Sequence, residues 1–145
     1  ELLVYDEYWE IAGQADRIIF DGDFFDVEDF KTNKEIKFRS WCKETPTALS
    51  VLGLGEPHKE YKMMYFPLDH LEDCNWIHYC LQLSLYAYLV ETATGKQVRN
   101  MKLLYHPPIS ATEVQEEPII YEVPYLREDV ELMLQHWAKK PLPND

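Results

Sequence analysis

Two short stretches hold residue types at spacings that could do chemistry. The first is Gly13-Gln14-Ala15-Asp16; the second, beyond a turn, is Glu28-Asp29-Phe30-Lys31-Thr32. Successive side chains of a strand alternate between faces, so Asp29 and Lys31 share one face while Phe30 points to the other. Asp21-Gly22, between apolar runs, is a hairpin signal, and folding back there returns Asp16 to the side of Asp29. Two carboxylates converging at one strand end suit a hard divalent cation such as Mg²⁺ or Mn²⁺, with water and a substrate phosphate completing its shell. That chemistry is phosphodiester hydrolysis. The cation lowers the pKa of bound water and neutralises phosphate oxygens, and Lys31 is placed to stabilise developing negative charge.

A Gly-x-x-Asp strand, a hairpin and then Asp-x-Lys-Thr resemble the motifs of the PD-(D/E)XK nuclease superfamily, specifically its RecB-like exonuclease branch. That branch carries a Gln-x-x-x-Tyr on the following helix, and Gln82-Leu83-Ser84-Leu85-Tyr86 is similar to it. Residues four apart share a helical face, so both side chains can reach one centre. The resemblance runs from about residue 8 to about residue 91. It implies that Asp16 and Asp29 bind metal, that Lys31 is catalytic and that Gln82 and Tyr86 support the centre or contact DNA. It further implies a Mg²⁺- or Mn²⁺-dependent deoxyribonuclease, an exonuclease, in recombination, repair or viral DNA processing. The family places an acidic residue or histidine on a helix before the first strand. This chain has no room for that helix, so the expected fold is a restriction-endonuclease-like core without its first helix. Glu10 is then the candidate substitute metal ligand.

The elements that must position these residues read as an α+β (mixed α/β) domain over residues 1–145, a central mixed sheet flanked by helices. Leu2 to Phe20 is rich in β-formers and, with Phe24 to Phe30 returning, predicts an antiparallel meander. Gly13 within it marks a turn or a close backbone approach. Asn33 is placed to cap a short helix over Lys34 to Cys42. Lys34 and Lys37 would share a face of that helix beside the metal site and guide phosphate, in a local cluster with Arg39 and Lys43. Glu44 to Tyr61 reads as loop and Tyr61 to Pro67 as strand. The clearest helix spans Asn75 to Glu91, before Thr94-Gly95. A strand follows over Gln97 to His106, a loop around Glu113 to Pro118, and a strand over Ile119 to Val123. A last helix opens at Pro124, with Leu126, Val130, Met133 and Trp137 as its stripe.

Bulk properties set the remaining bounds. With 145 residues and 46% hydrophobic content the chain can bury a core. No apolar run reaches membrane-spanning length, the start resembles no signal peptide, and an odd three cysteines without knuckle spacing fit a reducing compartment. The expectation is a soluble intracellular protein, in cytoplasm or host-cell cytoplasm with the nucleus left open. Because it starts at Glu1, already in strand-like sequence, it reads as a fragment or domain of a longer chain. The net charge of −12 weighs against a surface built for phosphate. It keeps two rivals open: a nuclease-fold module binding DNA or a protein partner without chemistry, and an acid-lined hydrolase of small phosphorylated substrates. His78 reads as a packing or hydrogen-bonding residue, and the other histidines show no metal spacing.

Overall fold

Alternation of apolar and polar residues sets up the strands of this chain, and a largely apolar run of helix formers sets up its longest helix. The computed structural model describes residues 1–109 and 117–143. In chain order the elements are β1 (Leu2–Asp6), β2 (Ile11–Ala15), β3 (Arg17–Asp21), β4 (Phe24–Lys31), β5 (Cys42–Thr45), α1 (Ala48–Val51), β6 (His58–Tyr61), α2 (Asn75–Thr94), β7 (Gln97–Tyr105), β8 (Ile119–Glu122) and α3 (Arg127–Ala138). They fall into two compact units: Glu1–Ile36 with Tyr79–Asp145, and Lys37–His78.

The first unit holds a two-stranded antiparallel sheet, β1–β2, and a four-stranded mixed sheet in the order β3-β4-β7-β8. β3 and β4 form a hairpin in which Asp21 pairs with Phe24. The turn is Gly22-Asp23, and Gly22 takes φ 59, a conformation open to glycine without steric cost. β4 and β7 run parallel, as strands joined by a long crossover can, and β8 closes the sheet antiparallel to β7. Along β4 the residues Phe25, Val27 and Asp29 are buried, and on β7 the buried Met101 lies opposite Val27 and the buried Leu103 opposite Asp29. The intervening Asp26 and Glu28 face away and pair with Arg99 and Arg17.

α2 buries nine residues between Cys80 and Val90 that point in every direction around the helix. A helix apolar all round belongs to an interior rather than a surface. It ends where Gly95 takes φ 72 and its N–H donates to the Glu91 carbonyl. α3 begins after Leu126, which has no side-chain oxygen to cap it. The buried Ser84 hydroxyl on α2 serves instead, accepting from Leu126 N at 2.9 Å and donating to the Pro124 carbonyl at 3.4 Å.

The second unit is built on the antiparallel pair β5–β6, from Cys42 opposite Tyr61 to Thr45 opposite His58. α1 is a single turn closed by a capping box between Thr47 and Ser50.

Several sequence expectations are corrected. No helix forms over Lys34 to Cys42, because the backbone groups there bond to distant partners instead of to each other. Lys37 N donates to Asn75 Oδ1, Lys37 O accepts from Trp76 N, Ser40 N donates to Glu72, and Cys42 starts β5. The strand expected at Tyr61 to Pro67 lies earlier, at His58–Tyr61, where β5 offers a partner. The first third is two sheets, not one meander, with the break at Asp16. The buried stripe of α3 is Val130 and Leu134, and Trp137 is exposed. Of the loop expected around Glu113 to Pro118, residues 113–116 lie outside the described residues. No helix among the described residues is long and apolar enough to cross a membrane.

Ser84→Ala leaves the Leu126 amide without its acceptor and is expected to cost about 1–3 kcal/mol. Guanidinium denaturation measures this as a lower midpoint. A midpoint equal to the parent's would show that the α3 entry does not depend on this hydroxyl.

Candidate active site

The register of the β3–β4 hairpin sets the centre. Arg17 pairs with Glu28, so the residue just before β3, Asp16, comes opposite Asp29. The Phe30 N–H donates to Asp16 Oδ2 at 3.0 Å, which fixes that carboxylate against β4. Asp29 lies on the core-facing side of the strand and is only 3% exposed. Lys31, two residues on, shares that side, and its Nζ lies 2.8 Å from Asp29 Oδ2. That oxygen is buried, and the ammonium is its counter-charge.

α2 supplies the other walls. Lys31 Nζ donates to Gln82 Oε1 at 3.2 Å, and Gln82 Nε2 donates to the Tyr86 hydroxyl at 3.0 Å. The same ammonium stands 4.8 Å from the centroid of the Tyr79 ring, within cation–π range. Tyr79, Gln82 and Tyr86 recur at helical spacing and so present one face of α2. The face reaches the strands because position 13 is glycine. A Cβ on Gly13 would stand 2.8 Å from Tyr86 Cε1, closer than real Cβ contacts allow. Gly13, Tyr86, Gln82, Lys31, Asp29 and Asp16 thus form one connected series, drawn from four elements or their junctions.

Burial pushes the Asp29 carboxyl above the usual carboxylate range. The Lys31 ammonium works against that rise, and the neighbouring Asp16 carboxylate adds to it. Burial has the largest influence, so Asp29 resists ionisation despite its lysine. A divalent cation would reverse the balance. Two neighbouring carboxylates, one of them buried, are hard-oxygen donors that fit Mg²⁺ or Mn²⁺ bound through one or two carboxylates plus water and phosphate.

Other sequence candidates are placed elsewhere. Glu10 is not on a strand; it ends the β1–β2 turn at φ 54, at the opposite end of β2 from Asp16. Six extended residues separate them by ~20 Å, so Glu10 is too far to be a ligand at this centre. No group of three or more His, Cys, Asp or Glu suited to a metal occurs among the described residues. Lys34 and Lys37 are exposed but share no helical face, since no helix forms there. The carbonyls of Asn33 and Lys34 accept instead from the Tyr105 hydroxyl. His78 bonds to Asp73, which also pairs with Lys62. Tyr79 is the residue that sequence reading missed; its signal was its place three residues before Gln82.

Comparison with protein-family models, with curated proteins and with solved structures gave no match.

Two outcomes are expected from this geometry. Gly13→Ala forces the Tyr86 ring aside and should destabilise by about 1–3 kcal/mol, seen as a lower Tm. An unchanged Tm would mean that the close approach carries no packing constraint. For Asp29, a folded pKa above the unfolded one means that the folded state holds the proton more tightly. Its contribution to stability is therefore present at low pH and lost as pH rises through the folded value. Asp29→Asn removes that loss. The Tm advantage of the variant over the parent should grow from about pH 4 towards neutrality; an advantage that shrinks over that range would refute the burial effect.

Proposed function

We propose that this chain carries the metal-binding core of a DNA nuclease of the PD-(D/E)XK type, with a restriction-endonuclease-like fold. The observation that carries the reading is the convergence of Asp16, Asp29, Lys31, Gln82 and Tyr86 into one contact series. Those residues come from motifs up to about 70 residues apart in the sequence. Packing alone gives no reason for a buried carboxylate, a lysine and a glutamine to meet on the core side of a sheet.

Asp16 and Asp29 would hold Mg²⁺ or Mn²⁺. The ion would supply an acidified water and neutralise phosphate charge. The protein's own contribution is placement. Gln82 and Tyr79 hold the Lys31 ammonium beside Asp29, where it can donate to a phosphate oxygen as negative charge develops. Tyr86 fixes Gln82, and Gly13 admits Tyr86. DNA as substrate, exonuclease action and a setting in recombination, repair or viral DNA processing rest on the motif resemblance.

A second reading is favoured by charge. The residues of the first unit contain nine Lys and Arg against twenty Asp and Glu, a poor surface for phosphate. A module of this fold that binds a protein partner without chemistry would meet no such conflict, whereas one that binds DNA without cleaving it would meet the same one.

Calorimetric titration of Mn²⁺ into the chain, and into the variant Asp16→Ala plus Asp29→Ala, tests the centre. Binding is expected in the parent and absent in the variant. It should weaken as pH falls, since protons compete with the ion at Asp29. Equal binding by both proteins would place the ion elsewhere and refute the assignment. Lys31→Ala should keep Mn²⁺ binding and lower DNA cleavage by about 10²–10³-fold. A parent that binds Mn²⁺ at these aspartates but leaves DNA intact would favour the second reading.

A further inference from the structure

The four-stranded sheet has a second side, away from Asp29. Gln82 of α2 meets Lys31 on the core side, and strand parity sends Asp26, Glu28 and Phe30 the other way. The register carries that outer side across the sheet. Phe30 stands opposite Leu104, and Leu104 opposite Ile120, which makes one apolar row. Two residues along, Arg17, Glu28, Lys102 and Glu122 stand opposite one another in turn, one from each strand. Directly paired residues project on one face, so both rows belong to this side. Phe30 is 41% exposed and Ile120 56%, and Arg17 and Glu122 are exposed as well. His106 stacks on Phe30 with ring centroids 6.4 Å apart and extends the apolar end.

The charges of the second row alternate: positive on β3, negative on β4, positive on β7, negative on β8. Within the chain the first two are paired, Arg17 Nε lying 3.3 Å from Glu28 Oε2. Lys102 and Glu122 have no ion-pair partner among the described residues. A row in this order, read backwards, carries the opposite sign at every place. A second copy laid face to face, about a twofold axis parallel to the strands, presents it backwards. Its Glu122 then faces Arg17 and its Lys102 faces Glu28, so the unpaired charges meet the paired ones with opposite sign. The same rotation keeps apolar row on apolar row and sets Phe30 against Leu104 of the other copy.

Charge also selects the occupant. The strands of this sheet hold four Lys and Arg against five Asp and Glu, whereas the first unit as a whole holds nine against twenty. With Asp29 and Lys31 on the core side, the outer side is nearly balanced within a strongly acidic unit. A basic partner finds more attraction elsewhere on that unit, and an acidic partner is opposed by it. An alternating row beside an apolar one matches its own copy. We propose that two copies of this chain pair through the outer face of the four-stranded sheet, about a twofold axis parallel to its strands. Contacts of this isologous kind are the commonest between like chains. The four strands span ~15 Å, a small face by the standard of stable interfaces, so the pair forms and dissociates with concentration.

Sedimentation velocity of the whole chain at rising concentration, up to ~200 μM, tests the pairing without metal or nucleic acid. The parent should pass from monomer to dimer over that range. Glu28→Lys sets like charges opposite each other across the axis, and so does Lys102→Glu. Each alone should raise the dissociation constant about tenfold or more. Mixed in equal amounts, the two variants should recover the dimer, because every facing place again carries opposite signs. That recovery also shows that both variants fold. A monomeric parent, undiminished affinity in either variant, or a mixture no better than its components would overturn the proposal. Loss of the dimer with Leu52→Ser, at the exposed end of α1 in the second unit, would do the same. The face lies across the sheet from Asp29, so either result leaves the Mn²⁺ test at Asp16 and Asp29 standing.

Discussion

A carboxyl group on the core-facing side of a strand must be neutralised, paired or hydrogen-bonded, because the surrounding apolar groups cannot replace its water. Asp29 is that group, and much of the first unit can be read as the conditions under which it is tolerated. Lys31 shares its face and meets it at 2.8 Å, yet burial still raises the carboxyl's affinity for its proton. A lysine in such a place needs holding as well, and Gln82 and Tyr79 do so from α2. Gln82 is in turn fixed by Tyr86, and Tyr86 can approach only because residue 13 has no side chain. One unfavourable burial thus reaches through three neighbours to a glycine on another sheet. Each link restricts a different element, so the helix, the hairpin and β2 are tied to one another at this point.

The same constraint accounts for the break in the strands. Had the chain continued without interruption from β2 into β3, Asp16 would be one more ladder residue. The sheets part at this residue, and its carboxylate takes the Phe30 N–H, a donor freed where the β3–β4 pairing ends at Arg17 and Glu28. The result is a second acid beside the first, which raises the electrostatic cost further. On the proposed nuclease reading, that cost is stability exchanged for chemistry. The remainder of the unit is ordinary packing: an all-round apolar helix, a mixed sheet, and a buried serine hydroxyl joining α2 to α3.

What could be read in the sequence follows the range of the forces involved. Face parity along β4, the glycine turn at Gly22, the long helix and its Gly95 stop depend on neighbours a few residues apart, and all of these were legible. The placement of Asp26 and Glu28 away from Asp29 follows from parity alone. The stretch from Lys34 to Cys42 was misread because its amides and carbonyls are claimed by Asn75, Trp76 and Glu72, more than thirty residues later. No local pattern announces such partners. Glu10 was misread for a related reason. It stands at the end of the β1–β2 turn, and the extended run of β2 between it and Asp16 turns proximity in sequence into distance in space. Tyr79 was within reach of helical periodicity, but only knowledge of where Lys31 points gives it meaning.

The acidity of the chain then acquires a physical role. On the proposed reading, the excess of acidic side chains in the first unit would attract a divalent cation and oppose a phosphate until the cation is bound. That order favours metal first and nucleic acid second, and it becomes weaker as salt shortens the range of the field. Lys37–His78, nearly neutral, adds little to that field.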